Sequence, residues 1–453
     1  MNLFQKLVER EEAGLPVTVG VIGAGKFGTM FLAQARLTRG LHVVGVADLD
    51  VVRARRQLAA AGWEEERSTA TSLADAIETR RTHVGPDADA LIAQPDVEVI
   101  VEATGVPAAG IRHALAAIAH GKHVVMVNVE ADALAGPLLA RAAQAAGVVY
   151  SLAWGDQPAL ICEHVDWARA CGFKVISAGK GTRYEPHYHA STPDTVWDIL
   201  DKYLSIADRG SINPKMFNSF VDGTKSAIEM TAVCNATGLL PQSDGLAFPP
   251  ASRFQLADVC KPARDGGTLE TAGVTEVVSS VNRQGRDVPH HLALGTFVVI
   301  EGETEYARRC FREYAMLPDA SGRYAALYRP IHLIGLELGI SVASAALRGE
   351  PTGSPTGFRS DVVATAKRAL RRGEVLDGEG GFCVWGKQTP AARSLADGLL
   401  PLGLAHGVTL LRDVPEGAAL RWADVTIDET DIAVKTRREM EASCGETAGA
   451  SAR

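Results

Sequence analysis

Between Val17 and about Tyr150 the chain alternates short apolar runs with Ala-rich amphipathic stretches. The runs are Val17–Ile22, Leu41–Ala47, Val97–Glu102, His123–Asn128 and Val148–Leu152, and most of them are rich in β-branched residues. A strand that is apolar on both faces must be covered on both sides. The intervening stretches, Phe27–Leu37, Val51–Ala61, Ala108–His120 and Leu134–Ala146, have the helical spacing to supply that cover. The pattern predicts an α/β fold whose first domain, residues 1–150, is a doubly wound parallel sheet.

Beyond it the rhythm changes. Asp156-Gln157-Pro158 reads as a helix start, Phe173–Ala178 and Leu294–Glu301 as strands, and Phe217–Ala236 and Glu303–Met316 as helices. This mixture predicts an α+β substrate domain over residues 151–350. Residues 350–359 are rich in Pro, Gly, Ser and Thr, as a domain joint would be. A small β-rich module is expected over 360–440, and 441–453 reads as a small, polar, disordered tail.

Composition narrows the function classes. A chain of 453 residues exceeds what one core organises. The net charge is -8 with no basic block, which argues against nucleic acid, since phosphate backbones are held by clustered Lys and Arg. The seven cysteines are scattered and never form C-x-x-C, the usage of a reducing compartment. No run of about 20 apolar residues is present to span a bilayer. The first residues read as an amphipathic helix and not as a signal peptide, so a soluble, cytoplasmic protein is expected.

The sharpest motif is Gly23-Ala-Gly25-Lys26-Phe27-Gly28, a G-x-G-x-x-G directly after an apolar strand and directly before a helix. Gly23 permits the tight turn, Gly25 lets the backbone approach a diphosphate, and Gly28 allows helix and sheet to pack closely. The helix N-terminus favours the anion, so a Rossmann-type dinucleotide site is expected, with Lys26 and Phe27 in its first turn. Asp48 ends the second strand 25 residues beyond Gly23, where it either accepts from ribose hydroxyls or caps a turn. The acid favours NAD(H). Arg53, Arg55 and Arg56 in the next helix suit the 2′-phosphate of NADP(H), and the choice stays open. Ligands gather at the carboxyl edge of such sheets, so Thr104, Gly105, Asn128 and Glu130 are cofactor candidates, the last two also as helix caps.

Two clusters lie outside this domain. Gly179-Lys180-Gly181-Thr182-Arg183 combines free amides with cations and a hydroxyl, which suits an anionic substrate or an exposed basic turn. Ser219 and Asp222 precede a helix on which Lys225 and Glu229 lie four apart, on one face. These two are a surface ion pair or, given their apolar neighbours, an acid–base pair.

Val21–Gly28, Val101–Gly105 and Val125–Glu130 resemble the nucleotide domain of homoserine dehydrogenases. Ser151–Ala159, Ala178–Thr182, Met216–Ser226 and Tyr328–Gly335 are similar to the 1-deoxy-D-xylulose 5-phosphate reductoisomerase-like proteins, which share that chassis. Residues 364–376 and 414–425 resemble the small SAF domain. The resemblance implies an NADPH-linked reductive isomerisation of a small phosphorylated or anionic polyol, giving 2-C-methyl-D-erythritol 4-phosphate. It implies Lys225, Asp222 and Glu229 as catalytic residues, and Lys180, Thr182, Arg183 and Ser219 as substrate donors. It also implies a homodimer and a Mg²⁺ or Mn²⁺ ion, for which no ligand set is legible. Homoserine dehydrogenases read Asn-Lys where this chain has Asn128-Val129-Glu130, which disfavours homoserine itself. A dehydrogenase of another polyol, sugar acid or hydroxy acid is the alternative.

Overall fold

The computed structural model describes residues 2–202 and 213–450. The chain forms two compact units, residues 1–160 with 333–356, and residues 161–332 with 357–453.

The first unit is built on β1 (Val17–Ile22), β2 (Leu41–Ala47), β3 (His83–Gly85), β4 (Val99–Glu102), β5 (His123–Met126) and β6 (Tyr150–Leu152). They pair in parallel in the order β3-β2-β1-β4-β5-β6, the doubly wound arrangement. Around them lie α1 (Leu3–Glu12), α2 (Lys26–Ala35), α3 (Val51–Ala60), α4 (Leu73–Thr79), α5 (Ala88–Ala93), α6 (Pro107–Ala119) and α7 (Val129–Ala145). Val19, Val21, Val99, Val101 and Val125 are fully buried against Phe31, Leu32 and Leu58. The strands were legible because each is a continuous apolar run. The edge strand β3 was not, because three residues carry no period.

One boundary differs from expectation. Residues 333–350, assigned from the sequence to the substrate domain, and the first part of the expected joint, to residue 356, complete the nucleotide unit. Leu338 with Val342 and Ala343 of α14 (Gly339–Arg348) joins the core of Val17, Val19 and Val21.

The second unit contains most of α8 (Gln157–Ala170) and a five-stranded sheet. Its strands β7 (Lys174–Thr182), β8 (Val274–Ser279), β9 (Thr296–Glu301), β10 (Leu317–Pro318) and β11 (Tyr324–Arg329) run in the order β10-β11-β9-β7-β8. Only β7 and β8 are parallel to each other. Short helices α9 (Val196–Leu200), α10 (Pro214–Val221), α12 (Leu256–Val259) and α13 (Glu305–Glu313) surround α11 (Thr224–Thr237) and the sheet. Ile161 and Val165 of α8 with Met230 and Val233 of α11 cover one face, over Ala178, Val298 and Ile300. Leu256 and Ala257 of α12 cover the other, over Ile176, Val278 and Phe297.

The C-terminal segment packs in this same unit. Strand β12 (Ser360–Ala366) pairs with β14 (Val384–Pro390), and β13 (Val375–Asp377) with β15 (His406–Thr409); α15 (Ala391–Asp397) and α16 (Ile432–Ala450) complete it. Helix α16 continues through 441–450, part of the stretch read from sequence as a disordered tail. Helix α11 is packed against β8 and also against β12 and β14, so all its residues from Thr224 to Asn235 are buried. That two-sided burial gives it no polar face. The single helix expected over Phe217–Ala236 is in fact two, α10 and α11, separated at Asp222-Gly223, where Gly223 adopts φ +89°. Only glycine takes that backbone without strain.

Candidate active site

In the nucleotide unit the glycine motif folds as its residue types require. Gly23 turns with φ +97°, and a Cβ there would lie 2.7 Å from the Ala103 carbonyl oxygen. A Cβ on Gly28 would sit 2.1 Å from the Gly23 carbonyl oxygen. A Cβ on Gly25 would meet nothing within 4 Å, and the same holds at Gly105. Gly25 borders the first turn of α2, whose amides have no carbonyl within the helix to bond. The loop therefore fits a dinucleotide diphosphate, held by the backbone from Gly25 to Phe27. Lys26 is exposed, and Phe27 packs its ring on the core.

Asp48 is committed within the protein. Its carboxylate accepts from the Ala24 amide at 2.8 Å and the Asp50 amide at 2.9 Å, and pairs with Arg53 at 3.0 Å. It stiffens the glycine loop while Arg53, whose side chain is 47% exposed, offsets its charge. At the next strand end Glu102 is fully buried. It accepts from the Thr104 hydroxyl at 2.6 Å and from Nδ1 of His113 at 3.2 Å, because Arg112 donates to the other ring nitrogen. Asn128 caps α7 through the Ala131 amide and donates to the Thr104 hydroxyl at 3.3 Å and the Val106 carbonyl at 3.0 Å. It holds the 104–106 loop. Glu130 lies half-buried in the first turn of α7. Nearby, burial pushes Asp132 up to about 7, and its carboxylate accepts from Tyr150 at 3.0 Å.

In the second unit the strand register assembles a polar row. Lys180 of β7 pairs with Thr296 of β9, which pairs with Arg329 of β11, so all three share one face at one end of the sheet. That is the face covered by α8 and α11. From α8, Nε2 of His164 lies 3.0 Å from the Thr296 hydroxyl; burial, with Arg329 adding to it, pushes this imidazole down to about 4. From α11, Glu229 reaches Lys180 in a short ion pair that is almost wholly buried. Lys225, also buried, lies one turn before Glu229.

The sequence-predicted residues thus divide. Lys180, Glu229 and Lys225 come together, with Glu229 bonded across to the strand. Thr182 lies two residues beyond Lys180 on the same strand. Arg183 pairs with Asp287 at 2.7 Å, and Ser219 donates to the Met216 carbonyl at 2.8 Å, each away from the row. The Asp222 carboxylate accepts from the Thr224 amide at 2.9 Å and lies 2.8 Å from Lys367, fully buried. Thr296 and Arg329 join Lys180 only through pairing across three strands, and His164 only through the packing of α8, so the sequence did not show them as neighbours. Among the described residues no three His, Cys, Asp or Glu side chains gather as a metal site, so no step is routed through the implied Mg²⁺ or Mn²⁺. Among them, too, no helix is long and apolar enough to cross a membrane.

Residues 19–152 match the family model described as homoserine dehydrogenase, NAD binding domain. Residues 155–338 match the one described as oxidoreductase DRL, catalytic domain. The chain is an NAD(P)-dependent oxidoreductase. Among solved structures it is similar to a homoserine dehydrogenase from Thiobacillus denitrificans, at 14% identity over 90% of this chain and 98% of that one, with a TM-score of 0.44. A dihydrodipicolinate reductase from Paenisporosarcina sp. TG-14 aligns at 11% identity over 74% of this chain and 97% of that one, with a TM-score of 0.33. A myo-inositol dehydrogenase from Lactobacillus casei aligns at 17% over 42% of this chain and 54% of that one, with a TM-score of 0.28. No curated protein matches the oxidoreductase.

Proposed function

We propose that this oxidoreductase carries out an NADPH-linked reductive isomerisation of a small phosphorylated hydroxyketone, 1-deoxy-D-xylulose 5-phosphate, to 2-C-methyl-D-erythritol 4-phosphate. The observation that carries the acid–base part is the buried Lys180–Glu229 ion pair with Lys225 one helical turn away. A bound nicotinamide nucleotide supplies hydride to the carbonyl carbon. Glu229, bridged to Lys180, takes the proton of the hydroxyl beside the ketone as the neighbouring carbon–carbon bond breaks and re-forms onto the ketone carbon, whose oxygen receives that proton. The hydroxyl-bearing carbon becomes an aldehyde, and Lys225 protonates the aldehyde oxygen as that carbon is reduced. Lys180 and Arg329, on one face of the sheet, supply positive charge for an anionic group, with the Thr296 hydroxyl between them. Asp222 keeps its charge on protein partners, so its part is to hold the start of α11. The neutralised Asp48 and half-exposed Arg53 favour NADPH over NADH.

The match to the homoserine dehydrogenase nucleotide domain favours a second reading, a dehydrogenase of another polyol, sugar acid or hydroxy acid. Purified protein mixed with NADPH and 1-deoxy-D-xylulose 5-phosphate, with and without Mn²⁺, separates the two. Loss of NADPH absorbance with formation of the branched tetrol phosphate supports the first reading. No loss in either condition overturns it, and turnover of a sugar acid or hydroxy acid with NAD⁺ or NADP⁺ then establishes the second.

A further inference from the structure

We propose that the C-terminal segment is a working part of the catalytic centre, with Lys367 as the positioning residue that sets Lys225 through Asp222. The inference rests on the reading of Lys225 as the acid–base residue. The Lys367 ammonium is 2.8 Å from the Asp222 carboxylate and donates to the carbonyls of Ser191 at 2.7 Å and Gly381 at 2.8 Å. Two carbonyls accept from it, the Asp222 carboxylate supplies the counter-charge, and its side chain is 2% exposed, so it has one place to sit. Asp222 passes that anchoring on, because its other oxygen accepts from the Thr224 amide at 2.9 Å, the residue immediately before Lys225.

Two further contacts from the same segment converge on this turn. The Gly386 amide donates to the Thr224 hydroxyl at 2.8 Å. Trp385 stacks on His189 with ring centroids 3.7 Å apart, and Nδ1 of His189 donates to the Asp222 carbonyl at 2.7 Å. The first turn of α11 is therefore fixed by β14 and by the residue after β12. A helix clamped from both sides can place Lys225 to a fraction of an ångström. A misplacement of about 1 Å can cost roughly a hundredfold in rate.

The test reads Lys225 without needing a substrate. Full-length protein is treated with trace acetic anhydride, and each lysine's acetylation rate is measured by peptide mass spectrometry. Lys122, held in the nucleotide unit by the carbonyls of Gln94 and Pro95, serves as the internal reference. Lys367→Met is expected to speed labelling of Lys225 at least fivefold and to leave Lys122 unchanged. Asp222→Asn should do the same, and the double variant no more than either single one, since the two act as one unit. Should Lys367→Met fail to fold, Asp222→Asn and the milder Thr224→Val decide by the same reading, the latter with about a twofold increase. A Lys225 rate unchanged in the folded variants, a parallel rise at Lys122, or additive single effects would overturn the proposal. With any substrate found, kcat should fall at least tenfold in Lys367→Met while KM for the nicotinamide nucleotide stays put. Failure of wild-type protein to turn over 1-deoxy-D-xylulose 5-phosphate would bear on the proposed reaction and leave the labelling result standing.

Discussion

Two glycines three residues apart do different jobs, and substitution tells them apart. Gly25 has an ordinary φ of -71° and open space beyond its α-carbon, so Gly25→Ala should leave the urea midpoint unchanged. The added methyl occupies the space a diphosphate needs, and the Kd for NADPH should rise at least tenfold by fluorescence titration. Gly28→Ala drives a methyl into the Gly23 carbonyl and should cost about 1–3 kcal/mol of stability. Asp132 is a second residue with a readable consequence. Its carboxyl, pushed up to about 7 by burial, keeps a proton in the folded state that the unfolded chain releases near pH 4. The native state binds more protons between those values, so stability falls as pH rises through them and levels off above 7. Asp132→Asn keeps a partner for Tyr150 and cannot ionise; comparing urea midpoints at pH 4.5 and pH 8 should show a smaller drop than in the wild type. Glu276, also raised to about 7 by burial, leaves a residual drop in that variant.

At the scale of elements, α3 bears on cofactor choice. Asp50 caps it through the Arg53 amide at 2.8 Å, and the same arginine turns its guanidinium onto Asp48. Arg53→Gln should raise the Kd for NADPH roughly tenfold and that for NADH less than twofold; an equal effect on both would remove the arginine from the 2′-phosphate. Elements defined by local pattern were readable from the chain alone. Strands β1 and β2 match their apolar runs residue for residue, because a strand covered on both faces is apolar along most of its length. What depended on distant partners was not readable. The Lys180–Thr296–Arg329 row exists only through pairing of β9 with β11 and with β7, more than a hundred residues back, and the partner of Glu229 lies on a strand and not four residues back on its own helix. The start of α11 was legible in part: Asp222 read as preceding the helix, while the helical spacing ran on from Phe217 to Ala236 across the turn at Gly223.

At the scale of the whole molecule, a buried cation ties the final helix to β12. Arg437 makes two bonds to Asp361 of β12, at 2.6 and 3.1 Å, bonds Glu441 at 2.8 Å and lies over the Phe358 ring. Arg437→Met strands Asp361 without a counter-charge and should cost roughly 3–5 kcal/mol in urea unfolding. Adding Asp361→Asn should return part of that loss. The chain-level surprise was the ownership of residues 333–356, since a mainly apolar helix carries no label for which sheet it will cover. That ownership has a consequence during synthesis. The ribosome delivers β1 more than three hundred residues before the α14 side chains that seal the same core. Over that interval the nascent nucleotide fold stands with one flank bare, a natural client for a holding chaperone, and its cooperative closure waits until the other unit's sheet has already left the exit tunnel.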